Sequence, residues 1–129
     1  FQIQTATSVF YDGKLALYNP TSSEITILTL DDFQEAGKIT NTDSKTILYS
    51  YVAYADSAIW LATNNGIYKA GLTDEEFVQI SDYSELETVS MDRSIIYDFT
   101  VGENGIIYLH YMQEDGSEGL VVVKKNEDL

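Results

Sequence analysis

The groups in this 129-residue sequence that could do chemistry are one histidine, 21 carboxylates, ten tyrosines and one tryptophan. His110 lies between Tyr108 and Tyr111 in an apolar run, where an imidazole titrating near neutral pH is a candidate general base. No nucleophile or orienting carboxylate is tied to it by spacing, and a lone histidine in such a run is more often a packed or surface residue. Paired carboxylates invite glycoside hydrolysis, but among 21 acids some pair falls at a suitable separation by chance. The absence of cysteine excludes disulfides, thiolate nucleophiles and thiolate metal sites, and a single histidine excludes a multi-histidine metal site. The expectation is therefore no catalysis, no metal and no cofactor.

The carboxylates are unevenly spread. Residues 70–92 hold Asp74, Glu75, Glu76, Asp82, Glu85, Glu87 and Asp92 with no Lys or Arg, which is half of the net charge of −14. The favoured reading is a solvated loop and edge strand whose like charges discourage sheet-to-sheet aggregation. A calcium site would also use such oxygens, but the Asp-x-Asp-x-Asp-Gly loop is missing. An acidic face that docks on a basic partner is the third reading. A charge of this sign repels phosphate backbones and anionic bilayers, so neither direct nucleic-acid binding nor membrane attachment is expected. No apolar run approaches the roughly 18 residues of a membrane span.

Tyrosine combines an apolar ring with a polar tip and suits both recognition surfaces and strand packing. Tyr49 and Tyr51 share a strand face by parity, with Tyr54 close by. A platform for a sugar ring is the sharper reading of the three, and packing between sheets the favoured one.

The elements that position these groups follow a period of two. Ser8-Val9-Phe10-Tyr11 meets Asp12-Gly13 and returns through 14–18; the cluster at 19–23 precedes a run at 24–30, and Gly37-Lys38-Ile39-Thr40 follows. Further on, 47–54 meets Asp56-Ser57, 58–63 meets Asn64-Asn65-Gly66, 67–70 goes back, and Phe77-Val78-Gln79-Ile80-Ser81 adds a fourth run. A third pass covers 94–101, 106–111 and 120–123. Alternating runs broken by Asp-Gly, Asn-Gly and Pro/Ser clusters are the mark of antiparallel hairpins. Aligned on Asp12, Asp56 and Glu103, the passes are 44 and 47 residues apart, the period of β-propeller blades. In each pass the second strand is the most apolar, as expected for one covered on both faces.

Ile59-Trp60-Leu61-Ala62-Thr63-Asn64-Asn65-Gly66-Ile67-Tyr68-Lys69 resembles the regulator-propeller repeat of bacterial two-component sensor regions. In that pattern the Trp and aliphatics pack between blades, the small residue admits the next strand, and Asn65-Gly66 supplies the positive φ angles of a tight hairpin. The first and third passes share the layout without the Trp-x-x-Thr core. The resemblance implies a binding or sensing module, often for extracytoplasmic glycans, and no chemistry.

The expectation is one all-β domain over 1–129, with blade-like repeats at about 6–44, 45–91 and 92–129 and residues 1–5 as an outer strand; a β-sandwich or small barrel is the alternative. Three blades leave apolar faces uncovered, so either copies assemble into a ring or the chain is part of a longer protein. The opening Phe1, with no leader before it, fits a processed chain or a piece of something larger. The function expected is recognition or scaffolding, with a protein or saccharide bound through blade loops, in an extracytoplasmic setting. Candidate binding residues are Trp60, Asn64, Asn65, Tyr49, Tyr51, His110 and Tyr111. The rival is a small acidic inhibitor, cytoplasmic, that imitates DNA and would carry carboxylates spaced like phosphates along one face.

Overall fold

A computed structural model describes residues 8–19, 21–42, 47, 50–83, 94–102, 105–113 and 115–124. The proposed outer strand at 1–5 lies outside these residues. All regular structure among them is β, and no helix among them is long and apolar enough to cross a membrane.

Among the described residues, eleven strands form three antiparallel sheets in chain order. The first holds β1 (Ser8–Tyr11), β2 (Lys14–Asn19), β3 (Glu24–Thr29) and β4 (Glu35–Thr40), each paired with the next. The second holds β5 (Ser50–Ala55), β6 (Ala58–Thr63), β7 (Gly66–Gly71) and β8 (Val78–Ser81) in the same meander. The third holds β9 (Ser94–Val101), β10 (Ile106–Gln113) and β11 (Glu118–Lys124). Two of the hairpins close on a pair of left-handed residues, Asp12 (φ 46°) with Gly13 (φ 72°) and Asp56 (φ 54°) with Ser57 (φ 57°). Both central residues positive is the two-residue turn whose twist matches that of paired strands. It sets Tyr11 opposite Lys14 and Ala55 opposite Ala58.

Two apolar cores separate the three sheets, in place of the single interior of a sandwich. Tyr11, Ala16, Tyr18, Ile25, Ile27 and Ile39 of the first sheet meet Ile59, Leu61, Tyr68 and Ala70 of the second. From the opposite side of the second sheet, Ala58, Trp60, Ala62 and Ile67 meet Phe99, Ile107, Leu109 and Val123 of the third. Every residue of β6 is consequently buried, which is why its sequence is an unbroken apolar run ending in Thr63. The double coverage expected of all three second strands holds for β6 alone. In β2, Leu17 is exposed between buried Ala16 and Tyr18, and in β10, Tyr108 is exposed between buried Ile107 and Leu109, because each flanking sheet has a neighbour on one side.

The first strands of the sheets run side by side, with β5 between β1 and β9. Tyr11 of β1 stacks on Tyr54 of β5 with ring centroids 4.5 Å apart and planes 11° from parallel. Farther out, the end of β4 is stitched to the second sheet through its backbone. The Thr40 N–H donates to the Glu75 carbonyl at 2.9 Å, and the Phe77 N–H donates to the Thr40 carbonyl at 3.0 Å.

Candidate functional site

Where the first two sheets diverge, a cleft of about 400 Å3 opens between the β1–β2 turn, β4 and residues 72–75 of the β7–β8 connection. Ile27, Ile39 and Leu72 give it apolar lining, and Tyr11, Asp12, Lys14, Asp74 and Glu75 give it polar groups. Burial, then the neighbouring Tyr54 and Asp12, push the Tyr11 phenol above its ordinary value, so at neutral pH it keeps its proton. Lys14 shares the parity of Ala16 and Tyr18 and therefore faces the second sheet, half-buried. Lys38 also borders the cleft, but its ammonium is turned to Glu24 at 3.8 Å. Asp74 shapes the wall: its Oδ2 accepts a hydrogen bond from the Gly71 N–H at 2.8 Å. A phenol, an ammonium and exposed carboxylates around apolar lining can hold a small ligand that has hydroxyls on one side and C–H surface on the other.

The candidates read from the sequence are scattered over the molecule. Trp60 has none of its surface exposed; its Nε1–H donates to the Ala55 carbonyl at 2.9 Å, and the Lys69 ammonium sits 4.8 Å from the ring centroid. It is a packing residue between the second and third sheets, and the expectation that it contacts a ligand is corrected. Asn64 and Asn65 build the β6–β7 turn: the Asn65 N–H donates to Thr63 Oγ1 at 2.9 Å, and Asn64 Nδ2 donates to Asn65 Oδ1 at 3.2 Å. Asn65 does not take the positive φ expected of it. Glycine is required at 66 for space, because a Cβ there would land on the Ser81 carbonyl oxygen and the Gln79 side-chain amide.

Tyr51 is half-buried against the second core, and burial followed by the Asp98 carboxylate raises its phenol above the usual value. Tyr111 packs against the same core, so its ring too is largely structural. On the other face of β10, His110 Nε2 lies 3.1 Å from Glu118 Oε1, with both side chains partly exposed. Tyr49, Glu85, Glu87 and Asp92 lie outside the described residues. Asp74, Glu75, Glu76 and Asp82 are exposed. The first two border the cleft and Glu76 bridges to Thr40, so this part of the acidic run also joins two sheets. Among the described residues no three His, Cys, Asp or Glu groups converge as a metal site would require.

Tyr83, which the sequence gave no reason to single out, is buried just after β8. Its hydroxyl donates to the Thr63 carbonyl at 2.6 Å and stands 3.2 Å from that of Gly66. Tyr83→Phe strips both carbonyls of this donor and is expected to cost about 1–2 kcal/mol, read as a lower urea midpoint with an unchanged slope. An unchanged midpoint would show that the β6–β7 turn does not depend on it.

No protein-family model matches the chain, and no curated protein matches it by sequence. Among solved structures the chain is similar to the glutaminyl cyclase of Myxococcus xanthus, a β-propeller-like protein, with a TM-score of 0.58 and 14% identity. The fold is propeller-like. The three sheets are its blades, with β1, β5 and β9 as their neighbouring first strands. The match covers 96% of this chain and 58% of that one, so the present chain spans little more than half of its neighbour. That neighbour is an enzyme, which removes the fold as a ground for expecting no chemistry; identity at this level carries architecture and nothing about activity. The likeness of residues 59–69 to the regulator-propeller repeat stays local: its Trp and small residues are accounted for by packing between blades, and its turn glycine by the close approach of β8 within the second blade.

Proposed function

We propose that the chain is a recognition module that binds a saccharide in the cleft between its first and second blades. The cleft itself carries this reading, because it joins Tyr11, Asp12 and Lys14 from one blade loop to Leu72, Asp74 and Glu75 from another. Exposed carboxylates accept hydrogen bonds from sugar hydroxyls, the Tyr11 phenol and Lys14 ammonium donate, and the aliphatic lining packs against a sugar's C–H face. Many of the described carboxylates sit in turns and connections, at Asp12, Asp31 and Asp32, Asp56, Asp74 to Glu76, and Asp115, with Glu24, Glu35, Asp98 and Glu118 on strands of different sheets, a spread that supports a loop-bearing recognition scaffold over a phosphate-like row of charge.

A panel of neutral and acidic oligosaccharides, titrated by calorimetry, tests the proposal. Asp12→Asn preserves the turn, since Asn tolerates a left-handed backbone, and removes one acceptor. Lys14→Gln removes the ammonium. Each is expected to weaken binding about tenfold, the worth of one polar contact of roughly 1.4 kcal/mol. No binder on the panel, or binders indifferent to both substitutions, would overturn the reading. Recovery of altered sugar after incubation would overturn its non-catalytic part.

A further inference from the structure

We infer that Phe33, at the tip of the β3–β4 turn, is an aromatic subsite at the rim of the cleft, and that the saccharide bound there is an oligomer longer than the cleft. The inference rests on the saccharide reading above and adds the length of the ligand to it. The observation is an aromatic side chain held exposed on a strained backbone. Phe33 has a left-handed φ of 56° and is 63% exposed. A positive φ is uncommon in any residue with a side chain and is an outlier in a bulky one. Burial of the ring would be a reason to tolerate it, but most of this ring faces water. Such strain persists only where the surroundings over-determine it, and it gathers at positions that clamp ligands.

The surroundings do fix it. The Phe33 N–H donates to the Thr29 carbonyl at 2.8 Å, and the Thr29 N–H donates to the Gln34 carbonyl at 2.9 Å. The Thr29 hydroxyl donates to Asp32 Oδ1 at 2.5 Å. A turn closed in this way presents its tip without the entropy loss of ordering a loose loop on binding. Both ends of the turn lead to the cleft. The Leu30 N–H donates to the Gly13 carbonyl at 3.0 Å, which ties the turn to the β1–β2 turn, whose Asp12 lines the cleft. On the other side the chain enters β4, whose Ala36 and Gly37 line it as well. Ala36 is an extra residue between the pairs Ile27–Gly37 and Leu28–Glu35, and a bulge of this kind bends the strand that carries it. Phe33 therefore stands three residues from the wall of the site. At about 400 Å3 the cleft is near the lower end of ligand pockets, roughly 300–1,000 Å3, so a longer saccharide has to lie partly over the rim. There the ring of Phe33 offers its face to a sugar's C–H face, and Leu72 of the second blade, 37% exposed, adds aliphatic surface.

Calorimetric titration of the whole chain with disaccharides and hexasaccharides tests this, using a neutral hexose, an N-acetylhexosamine and a uronic acid series. In the series that binds, the hexasaccharide is expected to bind more tightly than the disaccharide. Phe33→Gly removes the ring and suits a left-handed backbone. It is expected to weaken the hexasaccharide about tenfold, near the upper worth of one aromatic contact, and to leave the disaccharide unchanged. Its urea midpoint is expected to be no lower than that of the wild type, because the position is relieved of strain. Phe33→Trp is expected to retain the hexasaccharide affinity. A hexasaccharide no tighter than its disaccharide, or one indifferent to Phe33→Gly, would overturn the inference and leave the cleft reading standing. So would a Phe33→Gly that weakened both lengths alike or lowered the midpoint, or a Phe33→Trp as weak as Phe33→Gly. Binding by none of the three series would overturn the cleft reading and this inference with it.

Discussion

Trp60→Ala is expected to destabilise the chain by about 3–5 kcal/mol, the largest effect of any single truncation here. Trp60 is wholly buried between the second and third blades, and its face of β6 is completed by Ala58 and Ala62. The indole fills the depth that those two methyl groups leave open, so no flanking side chain can expand into the void. The Ala55 carbonyl loses the indole N–H, and the Lys69 ammonium loses the ring beneath it. Urea denaturation followed by circular dichroism measures the loss. Trp60→Phe separates volume from polarity: it is expected to recover most of the stability while leaving the Ala55 carbonyl without that donor. If Trp60→Ala held its midpoint and lost ligand binding instead, Trp60 would be a recognition residue and the packing role assigned to it would fail.

Gly66→Ala follows, with an expected cost of about 3 kcal/mol, at the upper end for overpacking. The added methyl would meet the Ser81 carbonyl and the Gln79 amide, and the first of these is backbone. A side chain can swing away; a strand carbonyl cannot move without prising β8 from β7. That pairing is short and carries a register shift between Ile67 and Tyr68, beside the position the methyl would enter. Denaturation in guanidinium should show a lower midpoint. An unaltered one would mean that β8 shifts freely, and that the close approach is not a constraint on position 66.

Much of this architecture was legible in the residues. Asp12-Gly13 between two alternating runs announced a hairpin, and the apolar stretch 58–63 announced a strand covered on both sides. Three passes at similar spacing pointed to three sheets that pack against one another, and the blades follow that order. Functional groups were less legible than the strands, for a physical reason. Trp60 and Tyr111 look equally suited to a ligand or to a core, and only the neighbouring sheet decides between them. The left-handed turn at Asp56-Ser57 has no glycine to betray it, while the glycine at 66 answers to a carbonyl 15 residues away in sequence. Tyr83 and the cleft escaped notice because each depends on groups brought together across the fold. Lys14 and Asp74 lie 60 residues apart and meet only once two blades have packed.

The shielding of β6 also bears on how the sequence can drift. In an array where each unit touches only its neighbours, the central unit takes part in two couplings and each flanking unit in one. A substitution in β6 weakens both couplings together, whereas one on the outward side of β2 or β10 weakens neither. Evolutionary latitude should therefore be narrowest in β6, where no position is free of a neighbouring blade.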